Sequence, residues 1–311
     1  MRKILPLLYF FIVFACYTQT EVIAIEYDST LIPEGIAIDE KEEKIYLSSI
    51  HQKKIIETTI ASGESKDFIS SGEHYYKSGV GITVKDNHLF ALGSEKKNKI
   101  WSSILLVFDL NDGSLMHTYQ IKDTTSHLMN DLAISEKNEI FISDTEKHCV
   151  YKLNYPEGNI EVFLKDEQIQ YPNGIAISDD GTKLFVDSWS SGLRIVDIRT
   201  KHILNSKHMI TKGIDGLKYY KGNLYAIINA GEKENHGLLK IELSKNEESI
   251  TATTPLLMNH EKMNIPTTFA IGKEHIYMLA NSQIDNLNQD TNQIIDKEKL
   301  THTFVLKYKI N

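Results

Sequence analysis

Cysteine is scarce in this chain: 311 residues contain two, Cys16 and Cys149. That pair supports neither a disulfide framework nor a cysteine-rich zinc cluster. Two further chemical signatures are missing. There is no HExxH spacing for zinc and no GxSxG elbow for a serine nucleophile. Positive charge is in deficit, with Lys+Arg 34 against Asp+Glu 42 and a net charge of -8. No basic patch interleaved with aromatic residues occurs, so nucleic acid is not an expected partner. An acidic balance favours solubility and, in a focused cleft, cations. No long helical period appears after the N-terminal segment, and this argues against a helix bundle.

What is present begins with that segment. Met1-Arg2-Lys3 is basic, and Ile4 through Ala15 is an almost wholly apolar run of about 12 residues. This length suits the core of a signal peptide and is too short to span a bilayer. Cys16 follows Ile12-Val13-Phe14-Ala15, which resembles a bacterial lipobox apart from Phe14. Residues 1–16 therefore read as a signal of lipoprotein type, and residues 21–311 as the folded domain. The expected destination is the cell envelope, lipid-anchored through Cys16, with a freely periplasmic or secreted protein as the alternative. The only membrane contact expected is that anchor. Cys149 alternates with Val150 and Tyr151 in a strand pattern and reads as packing.

One short phrase recurs along the rest of the chain. Its clearest copies are Glu34-Gly35-Ile36-Ala37-Ile38, Asn130-Asp131-Leu132-Ala133-Ile134, Asn173-Gly174-Ile175-Ala176-Ile177 and Asp215-Gly216-Leu217-Lys218-Tyr219. Val80-Gly81-Ile82 and Thr267-Thr268-Phe269 are weaker copies. The spacing, about 42–52 residues, is that of propeller blades. Each phrase is followed by a polar turn and a second strand, as in Lys44-Ile45-Tyr46-Leu47-Ser48 and Lys183-Leu184-Phe185-Val186-Asp187. A third, alternating strand and a variable outer strand complete the unit. Six such units predict an all-β, six-bladed β-propeller. The strand Glu21–Glu26 is expected to close the last blade beside the C-terminal residues Thr301–Tyr308. Residues 282–299 form a long polar insertion in that blade. The pattern does not choose between an insertion lying over one face and a mobile one.

The leading residue of each phrase occupies one equivalent place, and equivalent places in a closed ring point at a common axis. Glu34, Asn130, Asn173 and Asp215 supply hard oxygen donors there. A single polar-glycine pair would mean no more than a local turn. Four at equivalent places predict a site for one divalent cation. Calcium is the first choice, with magnesium, manganese or zinc as alternatives. Such an ion polarises a carbonyl and acidifies water. Asp215 is placed to act as general base, and Asn130 to orient a substrate. His127 and His74 are candidates for the funnel mouth. Ser188, at similar depth, reads as a strand-end hydroxyl. The remaining histidines read as surface residues.

At these residues the chain resembles the senescence marker protein, gluconolactonase and luciferin-regenerating enzyme family. The resemblance implies a six-bladed propeller with a divalent cation on its axis, held by Glu34, Asn130, Asn173 and Asp215. It also implies hydrolysis of a lactone or related ester, with Asp215 as base. Sugar-lactonase members often carry an arginine where this chain has Leu128, which argues against a sugar acid lactone. The related paraoxonases place a catalytic histidine where Val80 stands and a carboxylate for a second calcium where Gly35 stands. Neither is matched here. The expected protein is thus a monomeric, metal-dependent hydrolase of a small lactone or ester. Two other classes compete. One is a non-enzymatic binding propeller with a structural calcium ion. The other is a condensing enzyme of the strictosidine synthase type, against which Glu34, Asn173 and Asp215 argue.

Overall fold

Runs such as Leu105-Leu106-Val107-Phe108 are apolar on both faces because the sheet they form is covered on both sides. In the computed structural model, which describes residues 20–205 and 212–310, such runs build six antiparallel sheets arranged as a ring. The signal segment, the lipid-anchor residue Cys16 and His208 lie outside the described residues.

The first blade runs outward through Pro33–Asp39, Lys44–Ser49, Ile55–Thr59 and Ser65–Ile69. The second uses Ser78–Lys85, His88–Lys97, Ile100–Asp109 and Leu115–Tyr119, and the third Met129–Ile134, Glu139–Asp144, Cys149–Asn154 and Glu161–Leu164. Among the described residues the fourth has three strands, Pro172–Ile177, Lys183–Ser188 and Arg194–Asp197, extended by a bridge from Val196 to Ile203. The fifth returns to four, Ile214–Tyr220, Asn223–Ile228, Gly237–Leu243 and Ile250–Met258. The sixth is built from Phe269–Ile271, His275–Leu279 and Phe304–Lys309. It is closed by the N-terminal strand Glu21–Ala24, with Glu21 opposite Lys307 and Ala24 opposite Phe304.

The core is not one mass but six apolar clusters, each lying between two neighbouring blades. Tyr46, Ile82 and Phe108 join the first and second blades. Ile36, Leu47 and Leu279 join the sixth back to the first, with Ile23 and Ile25 of the closing strand packed in. Hydroxyl groups also bridge blades. Ser48 Oγ donates to Val80 O at 2.7 Å, Ser143 Oγ to Asn173 O at 2.6 Å, and Thr267 Oγ1 to Glu34 O at 2.8 Å. Each blade alone would leave an apolar face in water, so ring closure stabilises all of them together. Cys149 is buried in the cluster between the second and third blades, and burial pushes its thiol up to about 11, so it is packing and not a nucleophile.

Candidate metal centre and funnel

The inner strands do not pair regularly with their neighbours. In each of the first five blades the register slips at the head of the recurring phrase. The slips fall between Pro33 and Gly35, Gly79 and Ile82, Met129 and Leu132, Pro172 and Ile175, and Ile214 and Leu217. A bulge adds a residue to one strand and re-aims its side chain. Here it turns Glu34, Asn130, Asn173 and Asp215 toward the axis. The glycine after the donor has a packing reason. A Cβ at Gly174 would lie 2.6 Å from Asp215 O, and one at Gly35 would collide with Val80 O of the next blade. The inner strands converge too closely there for a side chain.

The four donors share the floor of one cavity, each half-buried. Asn173 Nδ2 donates to Asp215 Oδ1 at 2.8 Å, and Asn229 Nδ2 donates to Asp215 Oδ2 at 2.6 Å. Asn130 Nδ2 donates to Thr145 Oγ1 at 3.1 Å, which fixes the plane of its amide. Glu34 Oε2 is buried without a hydrogen-bond partner. Burial, then repulsion from Asp215 and Asp131, push Glu34 well above the ordinary carboxylate range, with Lys218 opposing. Burial pushes Asp215 up to about 7, against the hydrogen bonds from Asn229 and Asn173. Two carboxyls raised by burial and an orphaned oxygen are the marks of a site lacking positive charge. Two carboxylates and two amides around one axis fit a hard divalent cation, which takes about six to eight oxygens with water included.

Sequence reasoning missed the residues that support this set. Asn229 stands just past the second strand of the fifth blade and also donates to Pro266 O at 3.0 Å. Thr145, at the same place in the third blade, donates to Pro172 O at 2.7 Å. Carrying the repeat comparison past the second strand would have found both. Next to the donor Asn130, Asp131 Oδ2 lies 3.1 Å from Nζ of Lys218 of the fifth blade. Asp131, which breaks the glycine pattern, thus pairs with a partly buried cation of the fifth blade.

Above the donors the cavity has a volume of about 620 Å³. Trp101, Leu128, Trp189 and Ile265 supply apolar wall, and Lys53, Lys96 and Lys97 supply charge. Its roof comes from two projections. The central hairpin of the second blade is ten residues a side, and its outer part rises past Ser94 to Lys97. The insertion of the sixth blade forms a small hairpin, Leu287–Asn288 with Gln293–Ile294, whose tip residues Gln289–Asn292 line the cavity. The two are joined by Lys96 Nζ to Asp290 Oδ1 at 2.9 Å. Asn292 adds a reciprocal pair with the first blade, its O meeting His51 Nδ1 and its Nδ2 donating to His51 O, both at 3.0 Å. The insertion therefore lies over the face that carries the donors.

Residues 32–223 match the family model described as SMP-30/Gluconolactonase/LRE-like region. The chain belongs to this family. The matched span contains all four axial donors. No curated protein matches the chain in sequence. Among solved structures it is similar to a gluconolactonase from Xanthomonas campestris, with a TM-score of 0.64 and 12% identity over 94% of this chain and 90% of that one. It is also similar to the calcium-binding protein regucalcin from Agrobacterium tumefaciens, with a TM-score of 0.60 and 17% identity over 91% and 92%. A virginiamycin B lyase from Staphylococcus aureus matches with a TM-score of 0.60 and 10% identity over 94% and 99%. At these identities the likeness is one of fold, and the fold carries more than one chemistry.

Within the family frame the remaining candidates can be placed. His127 does not reach the cavity. It is packed inside the third blade, with Nδ1 3.2 Å from Asp144 Oδ2 and Nε2 3.0 Å from Asp123 Oδ1, and Tyr151 OH 3.0 Å from Nδ1. That network holds the turn leading into Leu128, whose N–H donates to Asp144 Oδ1 at 3.0 Å. His74 stands by Glu73 and Phe108, away from the cavity wall. Ser188 is fully buried and its hydroxyl donates to Gln170 O at 2.7 Å, as a strand-end residue does. Val80 and Leu128 both line the cavity as apolar wall.

Proposed function

We propose that this propeller hydrolyses a lactone or ester with the help of one divalent cation held by Glu34, Asn130, Asn173 and Asp215. The observation that supports the reading best is Glu34 Oε2, buried without a partner on the floor of a cavity whose other floor residues are oxygen donors. When bound, the cation would polarise the substrate carbonyl and acidify a water, and calcium is the expected ion. The protein's own groups do the rest. Asn229 and Asn173 hold the Asp215 carboxylate from both sides, so that one oriented oxygen meets the attacking water. Asp215 accepts the water's proton as the new C–O bond forms. The ring or ester C–O bond then breaks and the leaving oxygen takes up the proton. Asn130, anchored by Thr145, orients the carbonyl. Trp101, Leu128 and Trp189 exclude bulk water from the reacting atoms.

The test is hydrolysis of a panel of lactones and aryl esters, with Asp215→Asn as control. Turnover that disappears on chelation, returns with the ion and fails in Asp215→Asn supports the proposal. A cation that raises thermal stability with no turnover across the panel would instead favour the binding propeller, with the ion as a staple. A small-molecule ligand, a monomeric state and export with anchoring through Cys16 belong to the same proposal.

A further inference from the structure

The cavity's charge is arranged on one side. Among the described residues, its cationic lining side chains all stand on the first two blades, while the third and fourth contribute Leu128 and Trp189. Lys53 sits in the turn between the second and third strands of the first blade, and Lys97 at the tip of the long hairpin of the second. Both contact one carboxylate, Glu95, and the Lys97 Nζ to Glu95 Oε2 distance is 3.0 Å. A third ammonium lies behind them. Lys77 Nζ donates to Ser102 O at 2.9 Å and to Ser102 Oγ at 2.7 Å. Burial, and after it the ammoniums of Lys97 and Lys53, hold Lys77 below its ordinary value, although Glu95 opposes them. Lys96 is separately matched by Asp290. Two ammoniums therefore share a single carboxylate at the rim, with the third held on Ser102 behind them, in a chain whose net charge is -8. Such an excess is what an anionic ligand group would complete.

We infer that the substrate carries a carboxylate, which docks on Lys53 and Lys97 while its ester or lactone carbonyl reaches the donors on the floor. This names the substrate class of the hydrolase reading and rests on it. The body of such a molecule lies against Trp101, Leu128 and Trp189, so the ligand is amphipathic: an apolar middle, an anionic end and a scissile carbonyl.

Binding can be read without turnover. The chain has 2 tryptophans, Trp101 and Trp189, and both line the cavity, so tryptophan emission, excited beyond the tyrosine band, reports on this site. The probes are the 4-nitroanilide of glutaric acid, which is anionic, and its neutral N-methylamide, which carries no ester bond. Titration in calcium-containing buffer should show the acid binding at least about tenfold tighter, about 1.4 kcal/mol. Lys53→Gln combined with Lys97→Gln should bring the ratio to about one, and Glu95→Gln alone should raise it above the unmodified protein. Equal affinity for both probes, a ratio untouched by the double substitution, or no quenching by either probe overturns the inference. Should the double variant fail to fold, Glu95→Gln still decides by the sign of its change. The two readings fail separately. A preference for the acid without turnover of any ester would sink only the hydrolase reading. Turnover that ignores the carboxylate would sink only this one.

Discussion

In the proposed mechanism Asp215 carries the most demanding role of any single residue, because it would both bind a cation and move a proton with the same carboxylate. Its two amide partners divide that work by fixing each oxygen. Asn229→Leu, which keeps the volume and removes the amide, should lower kcat about 10–100-fold with the fold intact, as loss of a supporting hydrogen bond at a metal site does. Steady-state kinetics beside a far-ultraviolet circular dichroism spectrum checks this. Asp215→Asn should lower kcat about 10²–10⁴-fold, the range for a general base.

The pH dependence of the metal-free protein follows from the same carboxyls. Both Glu34 and Asp215 are raised on folding, so the folded state binds protons that the unfolded state releases. Their stability deficit is absent below the ordinary carboxylate range and grows as pH rises toward about 7. A cation displaces those protons, so the rise in Tm on adding calcium should be small at pH 5 and larger at pH 8. A shift that shrinks toward pH 8 would contradict the placement of the ion. The four donors were legible in the sequence because they head a repeated phrase. Asn229 and Thr145 head nothing; the sequence marks them only by their shared place just past the second strand, and their hydrogen bonds to the donors come from the structure.

At the scale of the element, the bulge and the two roof hairpins decide what the funnel does. Bulges leave no mark in alternation, since a slip of one residue inside a five-residue phrase looks like ordinary variation. The hairpin of the second blade was hidden for a different reason. Glu95–Lys97 and Ile100–Ser102 pair with each other beyond the buried Ser94 and Ser103, so they carry no core-facing pattern. The sixth-blade insertion was visible as a polar stretch, but only its contacts with His51 and Lys96 show where it lies. The Lys96–Asp290 pair is largely solvent-exposed on the aspartate side, so Asp290→Ala should cost well under about 1 kcal/mol of stability. It should nevertheless raise KM several-fold with little change in kcat, because the roof of the cavity loosens while the floor stays in place. Unchanged KM would show that the insertion is a bystander.

At the scale of the whole molecule, closure matters more than any one blade. The ring, its blade count and the N-terminal strand in the last sheet were all readable from the periodic phrase and its spacing. Deleting the chain through Ile25 removes two buried isoleucines and reopens the sixth sheet. The expected loss is about 3–6 kcal/mol, from about 1.5–3 kcal/mol per buried aliphatic side chain. Chemical denaturation of the truncated domain would show it, and an unchanged midpoint would mean that the ring does not depend on this closure.

The account stands most directly on metal-dependent turnover at the axis. The measurement is the rate of lactone and aryl-ester hydrolysis after EDTA treatment and after return of calcium, magnesium, manganese or zinc, in the unmodified protein and in Glu34→Gln. The account predicts no activity after chelation, recovery with calcium, and little recovery in Glu34→Gln. Full activity in EDTA, or full recovery in Glu34→Gln, would contradict it.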